Sequence, residues 1–173
     1  MPQIAINRIT NANVYVNGNS LLGKVEEIKL PDVNVIFQEH KALGMVGKIE
    51  LPAGIDKLEG EIKWNSFYED VSATVANPFR SVQLQCRSSI ESYGGQGRLT
   101  ELEMVTFLTV MFKKNALGSF KQHDNVETSS SFTATYVKQV IAGRDKIEID
   151  VLANIFRVSG QDVLANYRRN TGA

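Results

Sequence analysis

Few residues in this chain of 173 have types and spacings that suggest covalent chemistry. The two histidines, His40 and His123, lie far apart in sequence, and neither falls in the short i, i+3 or i+4 spacing of a metal site. His123-Asp124 has the composition of a base and its orienting carboxylate, but the surrounding stretch is polar and carries no nucleophile signature, so it reads as a solvated loop. Cys86 alternates with apolar neighbours on a strand face and reads as a buried, inert thiol. Gly94-Gly95-Gln96-Gly97 lacks the Gly-Lys-Ser/Thr and the following helix of a phosphate loop. Glu59 and Glu61 share a strand face and could act as paired carboxylates. Lys57 and Lys63 flank them, however, and an exposed ion-paired face fits better. Glu26 and Glu27 point to opposite faces if their strand is regular. The expectation is therefore no catalytic residue, no metal ligand, no cofactor and no enzymatic activity.

The elements that carry these residues are mostly strands. Val14 and Val16 alternate with Tyr15 and Asn17, and Asn17-Gly18-Asn19-Ser20 supplies a turn. Lys24 to Leu30 is a second strand. Val33, Val35 and Phe37 share one face of a third. Ile49 and Leu51 open a fourth, interrupted at Pro52-Ala53-Gly54. In a fifth, Leu58, Ile62 and Trp64 line one face while Lys57, Glu59, Glu61 and Lys63 line the other. Ser66-Phe67-Tyr68-Glu69 fits a capping box, with Phe67, Val71 and Val75 as the apolar stripe of a short helix that Asn77-Pro78 stops. Val82, Leu84, Cys86 and Ile90 mark another strand, and Tyr93 to Gly97 a loop. Leu102 to Phe112 is apolar on both faces: Leu102, Met104, Leu108, Val110 and Phe112 on one, Val105, Phe107 and Met111 on the other. Such a strand lies between two layers or against another subunit, which makes Val105, Phe107 and Met111 candidate subunit-interface residues. Asn115 to Ser131 reads as a long loop. Phe132 to Ile141 and Lys146 to Val151 form a hairpin through Ala142-Gly143-Arg144-Asp145. The tail from Gln161 to Arg169 has the pattern of a short helix.

Composition sets the class. Hydrophobic residues make up 43% and charged residues 22%, ordinary values that exclude a disordered or collagen-like chain. Nineteen basic residues balance nineteen acidic ones, so nothing marks the chain as a nucleic-acid binder, and little self-repulsion opposes association of its copies. With one cysteine no intrachain disulfide forms, and no signal peptide or membrane-spanning stretch is evident, so the chain reads as made and folded in a cytoplasm. The expected fold is mainly β, an antiparallel sandwich or barrel with one short α-helix, in a single domain over residues 1–173. Either an assembly protein or a soluble sandwich that binds carbohydrate or protein fits these features. The binding sandwich calls for an exposed aromatic platform, and Trp64, the only tryptophan, alternates into the core instead.

Specific residues favour the assembly protein. Thr10-Asn11-Ala12-Asn13-Val14-Tyr15-Val16-Asn17-Gly18, followed by Ser20 and Gly23, resembles the opening of the major tail tube protein of contractile-tailed bacteriophages, a family that includes the tubes of R-type bacteriocins. Leu30-Pro31-x-Val33 and Gly44-Met45 match its next segments. Tyr136-Val137-Lys138 with Ile149-Asp150 looks like its final hairpin, and Gly160-x-Asp162-x-Leu164-x-x-x-Arg168 its C-terminal segment. The resemblance implies a structural subunit that forms hexameric rings, stacked into the hollow tube inside a contractile sheath, with DNA passing down the lumen toward the host. A bacteriocin tube or other contractile injection system is the nearest alternative. Implied partners are further copies of the chain, the tail sheath, baseplate and tail terminator proteins, and the tape measure protein and transiting DNA in the lumen, with no membrane in the resting state. The implied location is the virion tail, assembled in the host cytoplasm. Each subunit would add four strands to a closed inner barrel. Six subunits at about 4.8 Å per strand and a tilt near 40° give a diameter on the order of 45 Å. The candidate lumen-facing residues are Lys48, Glu50, Lys57, Glu59, Glu61 and Lys63.

Overall fold

The computed structural model describes residues 4–172. Thirteen strands and two helices follow in order. They are β1 (Ile6–Arg8), β2 (Ala12–Val16), β3 (Asn19–Ser20), β4 (Val25–Lys29), β5 (Val35–His40), β6 (Ile49–Ile55), β7 (Leu58–Trp64) and α1 (Glu69–Val75). Then come β8 (Val82–Gly94), β9 (Gly97–Phe112), β10 (Thr128–Ile141), β11 (Arg144–Asp150), β12 (Ile155–Val158), β13 (Gln161–Asp162) and α2 (Ala165–Thr171).

Eleven strands join one antiparallel sheet, in the order β13-β12-β11-β10-β9-β8-β2-β3, with β1 on β8 and with β7 and β4 branching from β10. The branch has a local cause. Thr135 is an extra residue between Ala134, opposite Val110, and Tyr136, opposite Thr109. A bulge bends its strand and raises the twist. Before it β10 pairs with β7; after it β10 pairs with β11. The sheet therefore curls over its own apolar face.

That face is the core. Val14, Val16, Leu58, Ile62, Trp64, Leu84, Leu108, Val110, Phe112, Phe132, Val137 and Ile149 are buried in one cluster. Phe132 is fully buried and meets Phe112 edge to face, with ring centroids 6.1 Å apart. Its ring occupies the space over Gly60, its cross-strand partner, where an added Cβ would lie 2.4 Å from the Phe132 ring. Trp64 is buried and its indole N–H donates to the Ser130 hydroxyl at 3.0 Å, so it offers no exposed platform.

Several expectations need correction. α1 begins at Glu69 with Tyr68 in an extended conformation before it, and no side chain caps it. Ser66 lies outside the helix and its hydroxyl donates to Asn125 Oδ1 at 3.4 Å, so the capping box does not form; Phe67 is exposed rather than part of the stripe. Instead Lys24 pairs with Asp70 in the first turn at 2.7 Å, which holds that carboxyl below its usual range. The Pro52-Ala53-Gly54 segment does not interrupt its strand. Ile36 faces Gly54 and Phe37 faces Pro52, so Ala53 is a bulge inside a continuous β6. Tyr93 to Gly97 is no loop but the end of a hairpin with Gly95-Gln96 as its turn. Glu26 is the extra residue between Val25 and Glu27, so β4 is not regular. Ser129 to Ser131, assigned to a loop by their polarity, extend β10 against β7. The short helix expected in the tail does form, as α2, but it starts at Ala165 because Gln161–Asp162 are taken by β13, and it ends at Gly172 in the left-handed conformation.

Candidate assembly surfaces

Two surfaces stand out once the core is removed from view. On the outward side of β7, Glu59 is held by Lys57 at 3.1 Å and by Lys113, and Lys63 pairs with Glu27. Lys113 and then Lys57 keep the Glu59 carboxyl below its ordinary value, and Glu27 raises the Lys63 ammonium. The exposed ion-paired face read from the alternation is thus present, with Lys113 as a partner that sequence order does not suggest.

The same face continues across the sheet. Glu59 lies opposite Thr133, and Thr133 opposite Met111. Gln85, Phe107, Lys138 and Glu148 form a further row on it. The charged residues of β7 and the apolar residues Phe107 and Met111 therefore belong to one surface. Val105 is buried within the subunit, whereas Phe107 remains exposed and Met111 half-buried.

Toward the C-terminus this face carries a polar ladder. The Tyr136 hydroxyl donates to Glu148 at 3.1 Å; Arg157 donates to the other Glu148 oxygen at 2.8 Å; Arg168 reaches Asp162 at 2.6 Å and the Asn154 carbonyl at 2.9 Å. Arg157 depresses the Glu148 carboxyl, Arg168 depresses that of Asp162, and burial together with Glu148 pushes the Tyr136 phenol up to about 12. The Asp162-x-Leu164-x-x-x-Arg168 spacing is thereby explained. The ion pair fastens α2, which buries none of its own residues, to β13.

The second surface is the hairpin of β5 and β6, a two-stranded sheet separate from the rest. All of its residues except Ile55 are exposed. It projects as an arm that bears Val35, Ile36, Phe37, Ile49 and Leu51, and the fully exposed Leu43 and Val46 lie in its connecting loop. The Asp56 N–H to Asn34 carbonyl bond, 2.8 Å, closes its root, and Val33 and Ile55 pack on the core there. Of the six charged candidates, Lys48 and Glu50 belong to this arm, Lys48 pairing with Glu39 at 2.9 Å, while Lys57, Glu59, Glu61 and Lys63 belong to the body. The sequence reading does not single out this arm, although Val35-Ile36-Phe37 places apolar side chains on both faces of its strand.

The residues first weighed for chemistry are not gathered. His40 ends β5, His123 lies in the exposed segment before β10, and Cys86 is buried on β8, where burial raises its thiol. Among the described residues no three His, Cys, Asp or Glu side chains group as metal ligands, and no helix is long and apolar enough to cross a membrane.

Comparison with known proteins is consistent along the whole chain. The family profile of phage tail tube protein FII matches residues 6–172. The tail tube protein of Escherichia phage P2 is 26% identical over 164 residues, spanning 92% of this chain and 94% of that protein. The major tail tube protein of Serratia phage KSP20 is 25% identical over 152 residues, spanning 87% of this chain and 86% of the other. Among solved structures, the sheath/tube terminator of an extracellular contractile injection system, PVC, aligns at TM-score 0.56 and 11% identity, over 75% of this chain and 92% of that one. The sheath-tube complex of the same system aligns at TM-score 0.55 and 11% identity, over 75% and 87%. These two likenesses establish the shared β fold.

Proposed function

We infer function from ancestry and surface together: the chain belongs to the phage tail tube protein FII family, and it serves as the structural subunit of the inner tube of a contractile tail. The observation that carries this reading is the near full-length match to tail tube proteins. In the proposed assembly six copies close a ring, rings stack into a tube within the virion tail, and DNA passes through the lumen on ejection. Sheath, baseplate and terminator proteins are the proposed neighbours, with the tape measure protein inside before ejection. The chain acts by shape and association, without catalysis, after assembly in the host cytoplasm.

Surface chemistry supports this role. We assign the ion-paired face of β7, with Lys57, Glu59, Glu61 and Lys63, to the lumen, joined by Lys48 and Glu50 from the arm. A channel for DNA must not retain phosphates, and cations already paired to carboxylates release few counterions on meeting a duplex. Val105, Phe107 and Met111 are assigned to the subunit contact, Phe107 and Met111 offering surface and Val105 backing them. The arm, apolar and unsupported, fits a contact with neighbouring copies, because an exposed two-stranded hairpin gains little from its own sheet.

Negative-stain microscopy of concentrated protein tests the reading. Rings of six and stacked tubes are expected. A particle that stays monomeric at every concentration in analytical ultracentrifugation, with no tubes on the grid, would overturn it.

A further inference from the structure

Asn17-Gly18 is the one place in the chain where glycine follows asparagine. That pair has a chemistry of its own. The Gly18 amide nitrogen, after giving its proton to hydroxide, can attack the carboxamide carbon of Asn17. An N–Cγ bond forms, the Cγ–Nδ2 bond breaks, and the side-chain nitrogen takes a proton from water, leaving as ammonia and returning the hydroxide. Water then opens the five-membered succinimide at either carbonyl, giving aspartate or isoaspartate. Glycine favours the first step because no Cβ obstructs the approach to its nitrogen.

Burial does not prevent this reaction, since Asn17 and Gly18 are both exposed. Geometry does. The ring closes only when the carboxamide folds back over the peptide bond that follows it. In the folded chain it is held across the sheet instead. Asn17 Oδ1 accepts from the Gln83 N–H at 3.0 Å, and the Asn17 N–H donates to the Gln83 carbonyl at 2.8 Å. Main chain and side chain of Asn17 are thereby tied to one residue of β8. Gln83 is a firm anchor: its neighbours Val82 and Leu84 are buried, and it lies opposite Thr109 of β9. The turn between β2 and β3 fixes the rest, with φ 47° at Asn17 and 83° at Gly18. Release requires Asn17 to leave β8 beside Val14 and Val16, which are buried in the core.

We propose that Asn17 is a site of spontaneous succinimide formation, closed in the folded subunit by the Gln83 clamp and opened only where the β2–β3 turn comes away from β8. The two products differ in consequence. Aspartate keeps an oxygen for the Gln83 N–H. Isoaspartate routes the main chain through the side-chain carbon and lengthens a two-residue turn. That displaces Ser20 from its place opposite Tyr15 and strains the Leu21 N–H bond to the Val14 carbonyl, 2.8 Å, beside the buried Leu21 side chain. The inference stands on the chemistry of this turn and is independent of the tube reading.

The test ages the full chain in mildly alkaline buffer, native in one sample and unfolded in guanidinium chloride in the other. Peptide mapping by mass spectrometry counts the acid forms of Asn17. Modification of the native chain should be at least about tenfold slower than of the unfolded chain. The slowing should also agree within about tenfold with the hydrogen-exchange protection of the Gln83 N–H, because both processes need the same opening. Equal native and unfolded rates would overturn the proposal, as would a slowing outside that agreement. In a second arm, Gln83→Pro deletes the N–H that bonds Asn17 Oδ1. The native variant should be modified at least about fivefold faster than the native wild type, the effect of losing one hydrogen bond. An unchanged rate would overturn the clamp. If Gln83→Pro fails to fold, the comparison of modification with hydrogen exchange in the wild-type chain decides alone.

Discussion

The arm formed by β5 and β6 and the hairpin formed by β10 and β11 are both antiparallel pairs of apolar and charged residues with a bulge in one strand. In the hairpin Val137 lies opposite Ile149, and both are buried beneath the curl of the sheet. In the arm Gln38 lies opposite Leu51 and Phe37 opposite Pro52, and all four are exposed. The difference is the presence of a second layer. Alternation specifies that a strand has two unlike sides, but not whether the partner for the apolar side belongs to the same chain. In a subunit built for assembly, part of the hydrophobic pattern is addressed to other copies.

The largest expected effect falls on the body. Phe132→Ala removes a fully buried ring and should cost about 3–5 kcal/mol in denaturant unfolding. Gly60→Ala should also destabilise strongly, because the new methyl collides with the Phe132 ring and the Lys29 carbonyl. Phe37→Ala and Leu51→Ala in the arm should leave the unassembled chain within about 0.5 kcal/mol of wild type. An arm substitution as costly as Phe132→Ala would mean that the arm packs on the body, and the contrast would collapse.

Assembly should show the reverse order. Leu43→Asp combined with Val46→Asp adds charge to fully exposed positions in the arm's loop. The subunit should keep its thermal midpoint while long tubes disappear from micrographs. Tubes of normal length would show that the arm's loop faces solvent in the particle.

pH separates the regions more finely. Glu148 and Asp162 have depressed folded pKa values, so the ladder's stabilisation is fully present above the ordinary carboxylate value near 4 and is lost as pH falls through the depressed values. Asp162→Asn should flatten that acid limb. Tyr136 has a raised value of about 12, so its contribution is intact below the usual phenol value near 10 and is lost as pH rises toward 12. Tyr136→Phe should remove that alkaline loss. Denaturation midpoints measured across pH check both, and equal slopes in wild type and variants would deny the ladder a role. No counterpart is expected from arm substitutions.

The parts legible in the sequence were those settled within a few residues. Leu58, Ile62 and Trp64 announced a half-buried strand because the partner layer comes from the same chain. Asn17-Gly18 and Ala142-Gly143 announced turns because both residues of each take positive φ. The capping box failed because Ser66 found a partner in Asn125, distant in sequence. β12 and β13 went unread because their turn, Ser159-Gly160, joins very short strands whose stability comes from Arg157, Asp162 and Arg168. The charged candidates lie close together in sequence, from Lys48 to Lys63, yet they divide between the arm and the body at the chain reversal between Ile55 and Leu58. Contacts between copies leave no periodicity of their own, which is why the family resemblance carried the function.

The smallest effect on the subunit, and the sharpest on the proposed channel, should come from the β7 face. Glu59 and Glu61 are on the outward side of β7, and Glu59 already neutralises Lys57 and Lys113. Changing both to Lys breaks exposed ion pairs, which contribute little to stability, so the unfolding midpoint of the free subunit should barely move. In an assembled tube the change repeats in every subunit. It also frees Lys57 and Lys113, so each copy presents four unpaired cations where two were compensated. If this face lines the lumen, duplex DNA should be retained, with a strong inverse dependence on salt as phosphates displace counterions. If it lies on the outside, DNA passage should be unchanged and sheath attachment should weaken instead. The arm provides the internal control. Lys48 and Glu50 can be altered in the same way, and because the arm is a separate body its charges need not follow those of β7. Retention caused by the β7 reversal but not by Glu50→Lys would assign the lumen to the body alone; the opposite result would move it to the arm.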